Sequence, residues 1–191
     1  MIKTKITPPE VKFYLKKVSE LTGPEKEQMM RLMIITYPAF KKYYLKNKYY
    51  STVKPQMENL IKDGNKIVGV GKLLWRKVMV EKTPIKFFAF GVLITKKHQR
   101  RGLGSRLIIK DIKEAKNRGA DILYGSTSNP VAEKIVKKLG FKKLITPVFY
   151  RHIETKRIEK ETCTVWVLEF SKGLIEKIEK LSKFYIGTGP L

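Results

Sequence analysis

The order of hydrophobic and polar positions predicts a sheet of antiparallel strands that leads to one buried central strand. Residues 85–94 are apolar at every position except Lys86, as expected for a strand covered on both faces. Upstream, residues 57–62 and 66–80 flank the sequence Asp63-Gly64-Asn65, and an Asp-Gly pair between two apolar runs is a strong hairpin signal. The three segments therefore predict antiparallel strands beside the central strand.

A helix and a second strand follow the central strand. The helix is predicted over 102–117, and its apolar face consists of Leu103, Leu107, Ile108, Ile112 and Ala115. A short strand is predicted over 122–125, and a further helix over 129–140. Because strand-helix-strand crossovers are right-handed and join parallel strands, the central strand and the later strand are predicted to be parallel neighbours.

The remaining segments complete one unit of strands and helices. A strand is predicted over 11–18 and a helix from about residue 23 to 37; later strands are predicted over 141–152 and 162–170, and a last helix over 173–183. Residues 186–191 read as an irregular or edge segment. We predict a single domain over 1–170, with residues 171–191 as an extension packed on the same domain.

Composition and charge narrow the function classes. The chain has 191 residues and carries 41 Lys and Arg against 17 Asp and Glu, a formal net charge of +24, so a ligand with an anionic part is expected. The single cysteine, Cys163, excludes an intramolecular disulfide, and with two histidines besides it no metal site is predicted. No apolar run is long enough to span a bilayer and no signal peptide is evident, so we predict a cytoplasmic protein without a membrane partner.

The most informative segment is the loop between the central strand and the next helix. Its sequence is Gln99-Arg100-Arg101-Gly102-Leu103-Gly104-Ser105. Glycines at 102 and 104 let a ligand approach the backbone, and the first N–H groups of the helix favour an anion there. The loop lacks the Gly-Lys-Ser/Thr of a P-loop and the third glycine of a dinucleotide-binding fingerprint. Another phosphate-bearing ligand is therefore predicted.

These residues resemble the acetyl-CoA motif of the GNAT superfamily of N-acetyltransferases, Gln/Arg-x-x-Gly-x-Gly/Ala. A second family motif is matched by Asn129, Ala132 and the pair Gly140-Phe141. The resemblance implies an α/β (α+β) fold: a mixed, mostly antiparallel sheet of six to seven strands, helices on both faces, and a splayed parallel central pair. It also implies an acetyl-CoA-dependent N-acetyltransferase, in which a primary amine attacks the thioester directly in a ternary complex.

The resemblance also assigns roles to residues. Backbone N–H groups would hold the CoA pyrophosphate, and they belong to Gln99, Arg100, Arg101, Gly102, Leu103, Gly104 and Ser105. The pantetheine arm would pair with Val92, Leu93 and Ile94 like an added strand. A backbone N–H near Gly91 would polarise the thioester carbonyl. Asn129 would reach the pantetheine or the edge of the site, and it is equally suited to cap its helix.

The chain departs from the family pattern at the two positions of the usual acid and base. The tyrosine that protonates the leaving thiolate in many relatives corresponds to Val136, and the position of a common glutamate base corresponds to Tyr124. Tyr124 is therefore the candidate catalytic side chain, as acid or as a group that positions water, with sheet packing as the alternative. The tail resembles the ends of aminoglycoside 2'-acetyltransferases and nodulation-factor acyltransferases, and the Leu191 carboxylate is a further candidate base.

The acceptor is predicted to be an amine on a small molecule or a protein, and the protein a monomer or homodimer. The basic charge also fits a nucleic-acid-binding protein or a CoA-binding regulatory module on the same fold. The Lys- and Tyr-rich stretch 41–50 is either a solvated helix face or part of an acceptor groove. A cationic acceptor would be repelled by a surface of this charge unless glutamates gather in the cleft, and the candidates are Glu154, Glu159, Glu161 and Glu169.

Overall fold

A computed structural model describes residues 11–50 and 53–189, and a seven-stranded sheet forms its centre. The strands of this sheet are β1 (Lys12–Lys17), β2 (Met57–Asp63), β3 (Lys66–Val80), β4 (Thr83–Ile94), β5 (Ile122–Thr127), β6 (Lys142–Lys143) and β9 (Thr164–Glu169). Their order is β1-β2-β3-β4-β5-β9-β6, and only the β4–β5 pair is parallel. The mixed, mostly antiparallel sheet with a parallel central pair is confirmed.

A second, three-stranded sheet was not expected. It contains β7 (Val148–His152), β8 (Ile158–Lys160) and β10 (Phe184–Gly189), in the order β10-β7-β8. The prediction of one strand over 141–152 is wrong, because Pro147 interrupts it: β6 pairs with β9 in the large sheet, whereas β7 pairs with β8 and β10. The edge character predicted for the tail is confirmed for β10, which is the outer strand of the small sheet.

Within residues 11–50 and 53–189, five α-helices cover the sheet. Their bounds are α1 (Gly23–Thr36), α2 (Lys41–Lys46), α3 (Leu103–Asn117), α4 (Pro130–Lys138) and α5 (Leu174–Glu179). Helix α1 begins where the sequence predicts, because Thr22 and Glu25 form a capping box and Pro24 lies in the first turn. The Lys- and Tyr-rich stretch forms α2 and the turn after it.

The two faces of the large sheet are covered differently. Adjacent residues of β4 point to opposite faces, so Phe87 packs with Ile178 of α5 and Phe184 of β10, whereas Phe88 packs with Ile108 of α3 and Phe141. On the Phe87 face, α1 and α2 lie over the β1–β3 side and contribute a separate cluster of buried side chains. The Phe87 face is therefore covered by two neighbouring groups of elements, one with α5 and β10 and the other with α1 and α2. The opposite face is covered by α3 and α4.

Candidate active site

The site begins where the two parallel strands separate. Strand β4 pairs with β5 only from Phe87 to Ala89, opposite Ile122 to Tyr124. Beyond this point β4 continues along β3 to Ile94, and β5 continues along β9 to Thr127. A gap opens between them, so the backbone edge of residues 90–94 that faces β5 is not used by the parallel pairing.

A cavity of about 460 Å³ occupies this gap and extends to both sides of the sheet. The α3 and α4 side contributes Phe90, Val92, Ile108, Ala132, Val136 and Trp166. The α1 and α2 side contributes Met33, Tyr37, Phe40, Tyr44, Tyr49 and Tyr50, and the β7–β9 region contributes Tyr150, Glu161, Thr162 and Cys163. The floor includes Glu58, Lys72 and Gly91. The predicted Lys/Tyr stretch thus lies at the cavity through its aromatic residues.

Two glycines shape the gap by leaving room for side chains of neighbouring strands. A Cβ on Gly91 would lie 2.8 Å from Cε of Lys72 and 3.3 Å from its Cγ, so the lysine stem runs across Gly91. A Cβ on Gly125 would lie 2.7 Å from the ring of Phe90. Both contacts are shorter than side chains tolerate, and any larger residue at either glycine would displace its neighbour.

Glu58 is the most unusual group in the cavity. Glu58 is 2% exposed, and its Oε2 atom has no hydrogen-bond partner. Burial raises the pKa of this carboxyl well above its usual range, although the charge of Lys72 acts in the opposite direction. A buried carboxyl with a raised pKa that opens onto a cavity holds a proton more tightly than an exposed glutamate does, as a general base requires.

Lys72 lies beside Glu58, because the two residues are direct partners in the β2–β3 register. Burial lowers the pKa of the Lys72 ammonium, and the Glu58 charge partly restores it. Burial and the nearby Glu58 charge also raise the pKa of Tyr49 to about 12, so its hydroxyl stays protonated. Sequence reasoning missed both Glu58 and Lys72. A glutamate inside the predicted strand 57–62, close to the apolar residues Met57, Leu60 and Ile61, was the available signal.

Tyr124 lies under the cavity and reaches it through Glu161. Its side chain is 1% exposed and packs against Phe87 at 5.4 Å between ring centroids. Its hydroxyl donates to Glu161 Oε2 at 3.3 Å, while Glu161 Oε1 accepts the N–H of Cys163 at 2.9 Å. Burial, with the Glu161 charge, raises the pKa of Tyr124, which keeps the phenol protonated. Its catalytic role stays a prediction.

Of the four glutamates considered for the cleft, Glu161 lines it. Glu159 accepts a hydrogen bond from the Tyr150 hydroxyl, Glu169 accepts the N–H of Ile175, and Glu154 lies 3.6 Å from the Lys46 ammonium. Among the residues that line the cavity, Lys72 is the one Lys or Arg, against the two carboxyls of Glu58 and Glu161. The cavity is therefore far less basic than the chain as a whole.

The predicted anion loop has an ordered backbone with its glycines where they are needed. Residues 96–98 form a short 3₁₀ turn, and Arg100 and Gly102 adopt positive φ of 61° and 71° before α3 begins at Leu103. Gln99 Nε2 donates to the carbonyl of Ile94 at 3.1 Å, which ties the loop to the end of β4. A Cβ on Gly104 would lie no closer than 3.9 Å to a protein atom, so the space beside that backbone is open.

His98 is buried beneath this loop and supports it. It is 7% exposed, its Nδ1 lies 2.8 Å from Thr95 Oγ1, and its Nε2 lies 3.3 Å from Asp63 Oδ2. Asn129 caps α4, since its Oδ1 accepts the N–H of Val131 at 2.9 Å. Contact of Asn129 with a ligand stays a prediction. The Leu191 carboxylate lies outside the described residues.

Comparison with known proteins agrees with this geometry. A profile of the acetyltransferase (GNAT) family matches residues 23–141, which is more than half of the chain. The chain therefore belongs to the GNAT family of acetyltransferases, and it is an N-acetyltransferase. Its family uses acetyl-CoA and acts on amines. No curated protein matches the sequence.

Solved structures share the fold at low sequence identity. An acyl-CoA N-acyltransferase from Pseudomonas aeruginosa matches with a TM-score of 0.58 at 15% identity, over 83% of this chain and 99% of that one. The ribosomal-protein-S18-alanine N-acetyltransferase of Escherichia coli matches at 0.53 and 16%, over 84% and 95%. An acetyltransferase from Salmonella typhimurium, solved with acetyl-CoA, matches at 0.51 and 12%, over 84% and 95%.

Two further findings concern partners. None of the helices in the described residues is long and apolar enough to cross a membrane. The same residues contain no group of three His, Cys, Asp or Glu side chains arranged to hold a metal ion.

Proposed function

We propose that the protein transfers the acetyl group of acetyl-CoA to a primary amine by direct attack, and that Glu58 accepts the proton of the amine. The observation that carries this proposal is the cavity at the splay, which joins the anion loop side of the sheet to the buried carboxyl of Glu58, whose Oε2 has no hydrogen-bond partner, on the other side. Acetyl-CoA would supply an activated thioester, and every other role falls to groups of this chain.

The cofactor side fits the groups of CoA. The backbone of 99–105 offers N–H groups and open space at Gly104 for the pyrophosphate, and the long side chains of Arg100 and Arg101 lie exposed beside it. The parallel pairing does not use the backbone edge of Val92, Leu93 and Ile94 that faces β5, and this edge fits an amide chain. A backbone N–H near Gly91 is then placed to polarise the thioester carbonyl.

The acceptor side of the cavity fits an amine that enters as an ammonium and loses a proton before it attacks. Glu58 and Glu161 favour entry of an ammonium into a cavity walled by tyrosines, whose ring faces also attract cations. Because the pKa of Glu58 is raised, its carboxylate takes a proton from the ammonium more readily than an exposed glutamate does. The neutral amine is the form that attacks, so this proton transfer activates the acceptor.

Tyr124 completes the proposed site as a donor. Its raised pKa keeps its proton, and its hydrogen bond to Glu161 fixes that carboxylate toward the cavity. We assign Tyr124 to the positioning of Glu161, because its hydroxyl proton is held in that hydrogen bond, and the leaving thiolate receives the proton that Glu58 takes from the amine. A CoA thiolate leaves readily, so this step depends less on an acid than amine activation depends on a base.

The test is an acceptor screen with steady-state kinetics. The protein is mixed with acetyl-CoA and a panel of primary amines that includes small diamines, an aminoglycoside and peptides with a free N-terminus. Release of free thiol and the mass of the acetylated amine are measured. Direct transfer predicts intersecting double-reciprocal lines when both substrates are varied. Parallel lines, the signature of an acetylated enzyme on the pathway, would overturn the mechanism.

A further inference from the structure

We infer that Lys72 is itself acetylated by bound acetyl-CoA when no acceptor fills the cavity, which makes it a self-modification site. The inference rests on the proposed function, since it requires acetyl-CoA to lie in the splay between β4 and β5. It goes beyond that function by assigning a covalent mark to a residue of the chain and a consequence for the acceptor side.

The first argument is the path of the lysine side chain. Lys72 in β3 is the direct partner of Gly91 in β4, and its Cγ, Cδ and Cε all lie within 3.6 Å of the position that a Gly91 Cβ would take. The stem therefore runs from β3 across β4, toward the side on which β5 separates. Its amine lies one bond beyond Cε, over the strand segment that is proposed to hold the thioester carbonyl.

The second argument is chemical competence. An exposed lysine is almost fully protonated at neutral pH and attacks thioesters slowly. Lys72 lines the cavity and is half-buried, and burial lowers the pKa of its ammonium, so a larger fraction of the amine is the neutral nucleophile. Within the described part of the chain Lys72 forms no close ion pair, and the charge of Glu58 acts on it at longer range.

The reaction balances without any further reagent. The lone pair of neutral Nζ attacks the carbonyl carbon, the C–N bond forms and the C–S bond breaks. The proton lost by nitrogen goes to the thiolate, either directly or through Glu58. The products are Nζ-acetyl-lysine and free CoA thiol. The amide is far less reactive than a thioester, so the mark persists and is not an intermediate of turnover.

Acetylation would change the acceptor side of the cavity. It removes the cavity's single Lys or Arg charge and adds an acetyl group beside Gly91, where the acceptor amine has to attack. The carboxyl of Glu58 would also lose its neighbouring cation, which favours the protonated form of that base. The modified protein is therefore expected to turn over amines more slowly.

The experiment measures the protein itself. Purified protein is incubated with acetyl-CoA in the absence of amine, digested, and the acetylated fraction of each lysine is quantified by mass spectrometry. Lys77, an exposed lysine of the same strand, is the internal reference. We expect Lys72 to be acetylated at least tenfold faster than Lys77. Acetyl phosphate, which does not need the CoA site, should instead modify Lys77 first.

Three variants separate the explanations. Lys72→Arg should abolish the corresponding mass gain of 42 Da while preserving charge, and Lys72→Met is a second variant in case the guanidinium does not fit. Gly104→Glu, which obstructs the anion loop, should reduce acetylation of Lys72 and leave that of Lys77 unchanged. Prior incubation with acetyl-CoA should slow later amine turnover by wild type and should not slow that of Lys72→Arg relative to its own untreated sample.

The outcomes distinguish this inference from the proposed function. If acetyl-CoA binds and amines are acetylated but Lys72 is modified no faster than Lys77, the self-modification is overturned and the transferase stands. If acetyl-CoA does not bind in a calorimetric titration, both are overturned.

Discussion

Two buried acids on opposite sides of the same sheet have very different surroundings. Glu58 and Asn59 are neighbours in β2 and therefore point to opposite faces. On the α1 and α2 face, Glu58 ends in the cavity, and its Oε2 has no hydrogen-bond partner. On the α3 and α4 face, Asn59 donates to Oδ1 of Asp111 in α3, which does not line the cavity and is fully buried where Gly71 leaves room for it, although its Oδ2 has no partner either. We infer that the acid open to a cavity serves the reaction and that the enclosed acid serves packing.

The largest expected effect comes from removing the open acid. Glu58→Gln should lower kcat by about 10²–10⁴-fold, the usual contribution of a general base. Thermal stability should stay the same or rise, because a buried carboxyl whose Oε2 has no hydrogen-bond partner is replaced by a neutral amide. The measurement is thiol release with the fastest amine of the panel, together with thermal unfolding.

Asp111→Asn is the matched control for that variant. It makes the same change of carboxyl to amide in an equally buried acid, which is hydrogen-bonded to Asn59, the neighbour of Glu58 in β2. Because Asp111 does not line the cavity, kcat of this variant should stay within a few-fold of wild type. An equal loss of activity in both variants would mean that the two acids are not functionally different, and the comparison would fail.

A smaller effect is expected at Tyr124. Tyr124→Phe keeps the ring packing against Phe87 and removes one hydrogen bond to Glu161, so kcat should fall about tenfold, in line with about 1 kcal/mol for one such bond. KM for acetyl-CoA should not change. Tyr150→Phe is the control, since it removes a comparable hydrogen bond to Glu159. Unchanged kcat in Tyr124→Phe would assign Tyr124 to packing.

The enclosed acid, Asp111, should instead affect how the stability of the protein depends on pH. Burial raises the pKa of Asp111 from 3.8 to about 8, although the hydrogen bond from Asn59 acts in the opposite direction. The folded protein then binds a proton that the unfolded chain releases, so stability falls as pH rises from about 4 to 8. Asp111→Asn should flatten this decline in thermal unfolding measured across that range. A parallel decline in the variant would remove Asp111 as its cause.

The smallest effect is expected at a third acid, Glu25, which is fully paired. Burial raises the pKa of Glu25, but hydrogen bonds from Lys16, Lys62 and the Thr22 N–H lower it to a net value of about 2. Its stabilisation is present above pH 4.5 and is lost as pH falls toward 2. Glu25→Gln should cost about 1–2 kcal/mol at neutral pH, measured by denaturant unfolding. The cost should vanish near pH 2, and a constant cost would contradict this account.

The backbone geometry of the 99–105 loop and of the helices beside it was predictable because its signals are local. Gly102 must adopt a positive φ and Gly104 must leave its backbone open, and both needs are visible within seven residues of sequence. The helix after them has a clear apolar face, and Asn129 begins the next helix with a recognisable cap. The family resemblance rests on these segments, and they correctly predicted the splayed pair of strands.

The acceptor side was not predictable because it depends on long-range register. Counting outward from the Asp63-Gly64 turn would pair Glu58 with Gly71, but an irregularity after Ile61 shifts the register by one residue and pairs Glu58 with Lys72. That shift sets Glu58, Lys72 and Gly91 in one row. The small sheet was missed for a related reason, since the strand predicted over 141–152 changes sheets at Pro147.

The most direct test of the central claim is a calorimetric titration with acetyl-CoA. Wild type is compared with Gly104→Glu, which places a carboxylate in the open space at the start of α3, and with Gly23→Glu. The control makes the same change at the start of α1, where the space is also open. We predict micromolar binding to wild type and Gly23→Glu and at least a tenfold weaker affinity in Gly104→Glu. Equal affinity in all three proteins would contradict binding of acetyl-CoA at the anion loop and the splay.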